Sequence, residues 1–246
     1  MRLQNEVFVI TGANGGMGKE TVKRFLEEGA YVAAIDLNVE GVEKTEHLLP
    51  VAADLTKEKD VAKVFTEVNE TFGRINGLVN IAGIAQTATP IEEVKLKDWE
   101  KIIGVNATSL FLTCREVTPY LKEQQDGVIV NIASISMVRP RPGLNAYIAS
   151  KGAAVSFSQA LAIELAEYGI RVNVVNPGPA DTNMLGQFTS QNADIETTKD
   201  TIFKKSVPLG RLIQPIDIAN SLVYLCSKEA SIVTGSVLNV DGGRGI

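Results

Sequence analysis

Cysteine, histidine and tryptophan are nearly missing from the 246 residues: two, one and one respectively. Cys114 and Cys226 stand far apart and outside any CxxC or Cys/His cluster, so neither a disulfide framework nor a structural zinc site is expected. Both read as buried helix cysteines without catalytic work. The single His47, among Lys44, Thr45 and Glu46, reads as a solvated helix position and leaves little for a histidine-based active site. Excess positive charge is missing too. With 24 basic and 29 acidic side chains the formal net charge is −5, which argues against a nucleic-acid partner. No apolar run approaches the ~18 residues that a membrane-spanning helix needs. The opening residues lack the apolar core and small-residue cleavage site of a signal peptide, so a cytoplasmic protein is expected. What is present is a chain 45% apolar and 22% charged, the balance of a globular protein with a large core.

Short β-branched runs alternate with longer helical patterns. The strand candidates are 7–11, 31–36, 49–52, 77–80, 128–132, 171–176 and 237–240. Several are apolar almost throughout, as strands buried on both faces are. Amphipathic stretches at 16–28, 61–72 and 147–168 carry apolar residues at helical spacing. Strand alternating with helix predicts repeated βαβ units: a Rossmann-like, doubly wound α/β fold with a mostly parallel, seven-stranded sheet and helices on both faces. No linker divides the chain, so one domain over 1–246 is expected. The polar stretch 180–206 reads as a lid over the substrate, with Met184, Leu185, Phe188 and Phe203 as its apolar contacts.

The first strand candidate runs into Gly12-Ala13-Asn14-Gly15-Gly16-Met17-Gly18 and then a helix. Glycines there let the backbone turn sharply and approach a pyrophosphate, which the helix N-terminus would hold. A tight turn alone would also use glycine, but this loop lies between strand and helix, and the second strand ends in Asp36, where a carboxylate can grip adenosine ribose hydroxyls. Asp36 would repel a 2′-phosphate, and neither the loop nor Leu37-Asn38 offers a cation, so NAD is the expected cofactor. A plain helix N-cap at Asp36 is the competing reading. Asp54-Leu55 and Asn80-Ile81-Ala82-Gly83 follow the third and fourth strands, at the sheet edge where such ligands bind.

Tyr147 and Lys151 sit one turn apart on a helical segment, and Ser134 follows the fifth strand. A tyrosine has a pKa near 10, too high for a base at neutral pH; a neighbouring ammonium and a cationic nicotinamide would favour the phenolate and lower it. The tuned hydroxyl could exchange a proton with an alcohol or carbonyl oxygen that the serine holds in place, while a cofactor carries the hydride. Arg139-Pro140-Arg141-Pro142 reads as a solvated, proline-stiffened loop; a cation presented to an anionic substrate is its other reading. Trp99, Ile102, Ile103, Leu110 and Leu112 read as helix packing.

In all of this the chain resembles the short-chain dehydrogenase/reductase family. The matching elements are Thr11-Gly12-x-x-x-Gly16-x-Gly18, Asp54, Asn80-x-Ala82-Gly83, Asn106, Ser134, Tyr147-x-x-x-Lys151, Pro177-Gly178 with Thr182, and Val240-Asp241-Gly242-Gly243. The resemblance implies a catalytic tetrad of Asn106, Ser134, Tyr147 and Lys151. Tyr147 would be the acid/base, Lys151 would bind the nicotinamide ribose, and Asn106 would hold a relay water in a mid-helix irregularity. Pro177, Gly178 and Thr182 would lie by the nicotinamide amide and phosphates. Together with Met17, Leu37 and Leu55 these complete the expected cofactor contacts. Two departures stand out: Ile81 where the family often repeats Asn, and Pro179-Ala180-Asp181 where it often has a branched aliphatic. The implied function is NAD-dependent oxidation of a secondary alcohol or reduction of its ketone, in a homotetramer. Two alternatives stand beside it, a 3-oxoacyl-acyl-carrier-protein reductase and, of another class, a non-catalytic NAD-binding sensor.

Overall fold

All seven expected strands form and pair in parallel in one sheet. They are β1 (Val7–Thr11), β2 (Tyr31–Asp36), β3 (Leu48–Ala52), β4 (Gly77–Asn80), β5 (Gly127–Ile132), β6 (Ile170–Pro177) and β7 (Val237–Val240). The order across the sheet is β3-β2-β1-β4-β5-β6-β7. The computed structural model describes residues 1–188 and 203–246. Most of the expected lid, residues 189–202, therefore lies outside the described residues.

Every residue of β1, β4 and β5 is buried, because helices cover both faces. On one face α2 (Glu58–Phe72), α4 (Ser109–Gln124) and α5 (Asn145–Leu165) bury Val61, Phe65, Val117, Leu121 and Leu165 against the sheet. On the other, α1 (Gly16–Glu27) and α6 (Pro215–Cys226) bury Val22, Phe25, Ile218 and Leu222. The Phe8 and Phe25 rings meet edge to face at 5.1 Å, which ties α1 to β1. Strand order reverses between β1 and β4, so a crevice opens beyond their carboxyl ends.

A helix α3 (Leu96–Ile103) continues through a π-turn, Gly104–Thr108, into α4. The wide turn is the irregularity expected at Asn106. Elsewhere the sequence reading needs correcting. No helix forms between β2 and β3, so Asp36 is not a helix N-cap and His47 is not helical. His47 is exposed and extended: its carbonyl accepts from Val32 N at 2.8 Å, prolonging the β2–β3 ladder, and its ring stacks on Tyr31 at 4.3 Å. Gly41, at φ +78°, breaks what helical tendency the segment has. Trp99 on α3 is only partly covered within the chain, at 36% exposure, whereas Ile102, Leu110 and Leu112 are buried. Both cysteines are free and buried in helices, and burial pushes each thiol up to about 12, which makes them inert.

Candidate active site

The crevice at the strand-order reversal begins at the glycine loop. Gly12 has φ +67°, and a Cβ there would stand 2.7 Å from the Ala82 nitrogen. A Cβ on Gly18 would collide with the Gly12 carbonyl. Only glycine lets the loop lie this flat against β4 and α1. The N-terminus of α1 carries no side-chain cap and no acidic residue in its first turn, so its free N–H groups and positive dipole face the crevice. That donor set fits a pyrophosphate.

Gly12, Asn14, Gly15, Gly16, Met17 and Gly18 line this cleft. Asp36 and Leu37 close its far end, Asp54 and Leu55 one side, and Ala82 and Gly83 its floor. The Asn14 backbone N–H donates to Asp36 Oδ2 at 2.9 Å, which fixes the carboxylate and leaves Oδ1 for another donor. Among the described residues that line the cleft there is no lysine or arginine. Asp54 is held by its own turn: Thr56 Oγ1 donates to it at 2.6 Å and Lys57 lies 3.2 Å away, so its carboxyl stays below the usual range.

Asn80, expected at the cofactor, does not line the cleft. Its side chain turns into the sheet, donating to Asn131 Oδ1 at 2.9 Å and accepting from Thr113 Oγ1 at 2.9 Å. Thr11 Oγ1 in turn accepts from the Ile81 and Ala82 N–H groups at 3.1 and 3.2 Å. A buried polar side chain at a strand end must find partners, and here they lie inside the protein. Asn80 thus shapes the floor of the cleft from beneath it.

A second cavity opens toward β6 and shares Gly83, Thr182 and Met184 with the first. Ser134, Tyr147, Lys151, Pro177 and Gly178 line it, with Leu185, Phe188 and Phe203 as apolar walls. Phe188 meets the Tyr147 ring edge to face at 4.9 Å. The parallel sheet explains why three residues so far apart in sequence meet: Ser134 follows β5, while Tyr147 and Lys151 occupy the first two turns of α5 beside the same strand ends. Asn106 lies behind them, not in the cavity wall. Its amide accepts from Ile84 N at 2.8 Å and donates to Ile84 O at 3.0 Å and to Ser150 Oγ at 3.1 Å. Asn106 therefore clamps the loop after β4 to α5.

Without a cofactor, burial governs both Tyr147 and Lys151. Burial pushes the Tyr147 phenol up to about 12, and the opposing hydrogen bond with Ser134 is the smaller effect. Burial also pulls the Lys151 ammonium down to about 8. Lys151 Nζ donates to Ile132 O at 2.9 Å and lies 5.9 Å from the centre of the Tyr147 ring, so its charge is spent on a carbonyl more than on the phenol. In the chain alone, then, the tyrosine holds its proton firmly and the lysine holds its own less firmly than usual.

This has a consequence for stability. The folded chain gives up the Lys151 proton near pH 8, whereas an unfolded lysine keeps it to about 10.4. Between those values the unfolded state binds more protons, so stability rises with pH. Above about pH 10 the sign reverses, because buried Tyr147 keeps a proton that the unfolded chain loses. Lys151→Met is expected to stabilise the cofactor-free protein by about 1–3 kcal/mol at pH 7 and to abolish the rise from pH 8 to 10. Urea denaturation across that pH range measures both, and an unchanged slope would contradict the burial of this charge.

Gln86 and Arg244 carried no local sequence signal, and Arg141 stood only in the alternative reading of its proline-stiffened loop. Gln86 Oε1 accepts from Tyr147 N at 2.9 Å and so anchors the first turn of α5. Arg141 and Arg244 both line the second cavity. Only a fold that brings the loop after β5 and the C-terminal tail together could reveal the pair.

Comparison with known proteins bears on what such a site does. A family model described as enoyl-(acyl carrier protein) reductase matches residues 12–244. The 3-oxoacyl-[acyl-carrier-protein] reductase of Thermotoga maritima is 36% identical, over 99% of this chain and 99% of its own. The meso-2,3-butanediol dehydrogenase of Serratia marcescens is 35% identical, over 99% and 96%. Among solved structures, the 3-ketoacyl-(acyl-carrier-protein) reductase from Brucella melitensis complexed with NADH superposes with a TM-score of 0.92 at 39% identity, covering 99% of this chain and 100% of that one.

Proposed function

This chain belongs to the short-chain dehydrogenase/reductase family, and from that premise we propose that it is an NAD-dependent oxidoreductase of secondary alcohols and their ketones, built as a single dinucleotide-binding domain with a substrate lid at about 180–206. One observation carries the reading. Ser134, Tyr147 and Lys151 meet in a cavity that runs directly into an uncapped glycine-loop cleft closed by a carboxylate.

When bound, the oxidised nicotinamide supplies the hydride acceptor and a positive charge beside the phenol. The chain does the rest. The α1 N-terminus would hold the pyrophosphate, and the Asp36 carboxylate would accept from the adenosine ribose. Pro177, Gly178 and Thr182 would flank the nicotinamide end. Ser134 Oγ orients the alcohol or carbonyl oxygen against Tyr147 Oη, and the apolar walls keep water away. Tyr147 exchanges the hydroxyl proton: as the acid in ketone reduction, where its high pKa keeps it protonated, and as the base in oxidation once charge around it has risen. Lys151 contributes that charge and a donor to the nicotinamide ribose. Asn106 is a positioning residue, because its amide is taken up by Ile84 and Ser150. A binding-only sensor would have no use for the cost of burying Lys151 next to Tyr147.

A panel of secondary alcohols with NAD, followed at the NADH absorbance, tests the reading; no turnover of any would sink it. A second reading, 3-oxoacyl-acyl-carrier-protein reduction, is favoured by the Thermotoga and Brucella relatives. Since the Brucella enzyme is complexed with NADH, a preference for NAD does not separate the two.

Among the described residues no helix is long and apolar enough to cross a membrane. An NAD-using enzyme with two free thiols fits the cytoplasm. A homotetramer is supported by apolar side chains exposed on α3, α4 and α5, namely Leu96, Trp99, Phe111 and Ile163. Light scattering at micromolar concentration is expected to give four times the chain mass of 26.4 kDa; a stable monomer would contradict the assembly.

A further inference from the structure

Beside Ser134 and Tyr147, the second cavity presents cations and no described aspartate or glutamate. Arg141 and Arg244 line it, the first on the loop after β5 and the second just beyond β7. Arg244 is only 8% exposed. Its Nη1 is buried, and among the described residues nothing accepts a hydrogen bond from it. The half-buried Arg141 guanidinium lies 4.9 Å from the centre of the Phe203 ring, which holds it in the cavity wall without neutralising it. Arg139 braces the pair from outside, donating through Nη1 to the Arg244 carbonyl at 3.1 Å.

The nearest acid does not cancel this charge. Asp241 spends its carboxylate on backbone, accepting from Gly243 N at 3.0 Å and Gly245 N at 2.7 Å. Burial, then the neighbouring charges of Arg139 and Arg141, push the Arg244 guanidinium below its ordinary range, with Asp241 pulling the other way more weakly. A buried donor without a partner is rare in a folded protein, and at a cavity wall it marks a place for a ligand. A guanidinium fork matches a carboxylate, and desolvation strengthens the bond.

We propose that the substrate is a secondary alcohol, or its ketone, that carries a carboxylate, and that Arg244 with Arg141 binds this carboxylate while Ser134 and Tyr147 hold the carbinol. This rests on the oxidoreductase reading above and narrows its substrate class. In the oxidation Tyr147 first gives up its own proton to solvent; the carbinol hydrogen then leaves as hydride to NAD⁺ and the hydroxyl proton goes to the Tyr147 phenolate Oη. The hydroxy acid becomes an oxo acid, with NADH formed. Leu144, Leu185 and Phe188 enclose the carbon chain between the two ends.

The test offers the holoenzyme a short series of hydroxy acids that differ in the spacing of carbinol and carboxylate, each beside its methyl ester. For at least one spacing the acid is expected to exceed its ester in kcat/KM by about 30-fold or more, the scale of one charge-assisted hydrogen bond. Arg244→Met should bring that ratio down toward one, and Arg141→Gln should lower it separately. Calorimetric titration of the preferred acid into the cofactor-free protein gives a readout independent of turnover, with binding that weakens in Arg244→Met. Equal turnover of acid and ester would overturn the carboxylate site and leave the oxidoreductase standing. Binding that depends on Arg244, with no turnover of any alcohol, would do the reverse. An Arg244→Met variant whose defect lies in the KM for NAD, with the acid-to-ester ratio unchanged, would assign the arginine to the cofactor and overturn the proposal.

Discussion

Replacing Tyr147 with phenylalanine is expected to lower turnover by about 10²–10⁴-fold while NADH binding stays within about threefold of wild type. The ring keeps its place, because the edge contact with Phe188 and the Gln86 anchor on the Tyr147 N–H do not involve the hydroxyl. What goes is the proton-exchanging hydroxyl beside Ser134. In the wild type, kcat/KM for alcohol oxidation should rise with pH, because the phenol starts protonated and must lose its proton to act as a base. The variant should lose this rise. Stopped-flow turnover with NADH fluorescence titration measures both halves, and near-normal turnover in Tyr147→Phe would remove Tyr147 from the chemistry.

NAD is expected to be preferred over NADP by at least ~10²-fold in kcat/KM, about 2.7 kcal/mol of transition-state free energy. Asp36 is fixed by the Asn14 N–H at 2.9 Å, so its carboxylate cannot easily swing away from the adenosine ribose. A 2′-phosphate would lose a charge-assisted bond worth roughly 1.5–3 kcal/mol and stand beside a carboxylate. No lysine or arginine among the described cleft residues would offset it. Leu37, 72% exposed at the cleft rim, is where a cation can be introduced at little cost to packing. Asp36→Ala with Leu37→Arg should therefore turn the preference toward NADP, with some loss of NAD efficiency because Asn14 N loses its acceptor. A wild-type preference below about tenfold would mean that Asp36 does not govern this end of the cleft.

Local pattern was enough for the strands. β1 and β4 are short, mostly apolar runs, β5 and β6 are rich in β-branched residues, and strand–helix alternation dictates parallel pairing with right-handed crossovers; the order of the strands, and with it the crevice at their reversal, was decided by the tertiary structure. The glycine loop, Asp36, Ser134, Tyr147 and Lys151 were legible for the same reason: each sits at a strand end or in the first turns of the next helix, which sequence spacing alone identifies. The absence of a helix at 37–47 was not legible, because pairing of the His47 carbonyl with Val32 overrode local tendency. The direction of Asn80 depended on Thr113 and Asn131, contributed by α4 and β5, and the π-turn set how Asn106 clamps Ile84. How firmly Tyr147 and Lys151 hold their protons in the cofactor-free chain depends on how deeply packing buries them, which neighbours in sequence do not show. Arg141 and Arg244 share a cavity although the whole of α5, β6, α6 and β7 lies between them in the chain. Periodicity and motif are short-range properties carried by neighbours in sequence. Desolvation and unmet hydrogen bonds belong to neighbours in space, so the fold and the reacting groups were written in the sequence, whereas their protonation and the charge that meets the substrate were decided by tertiary packing.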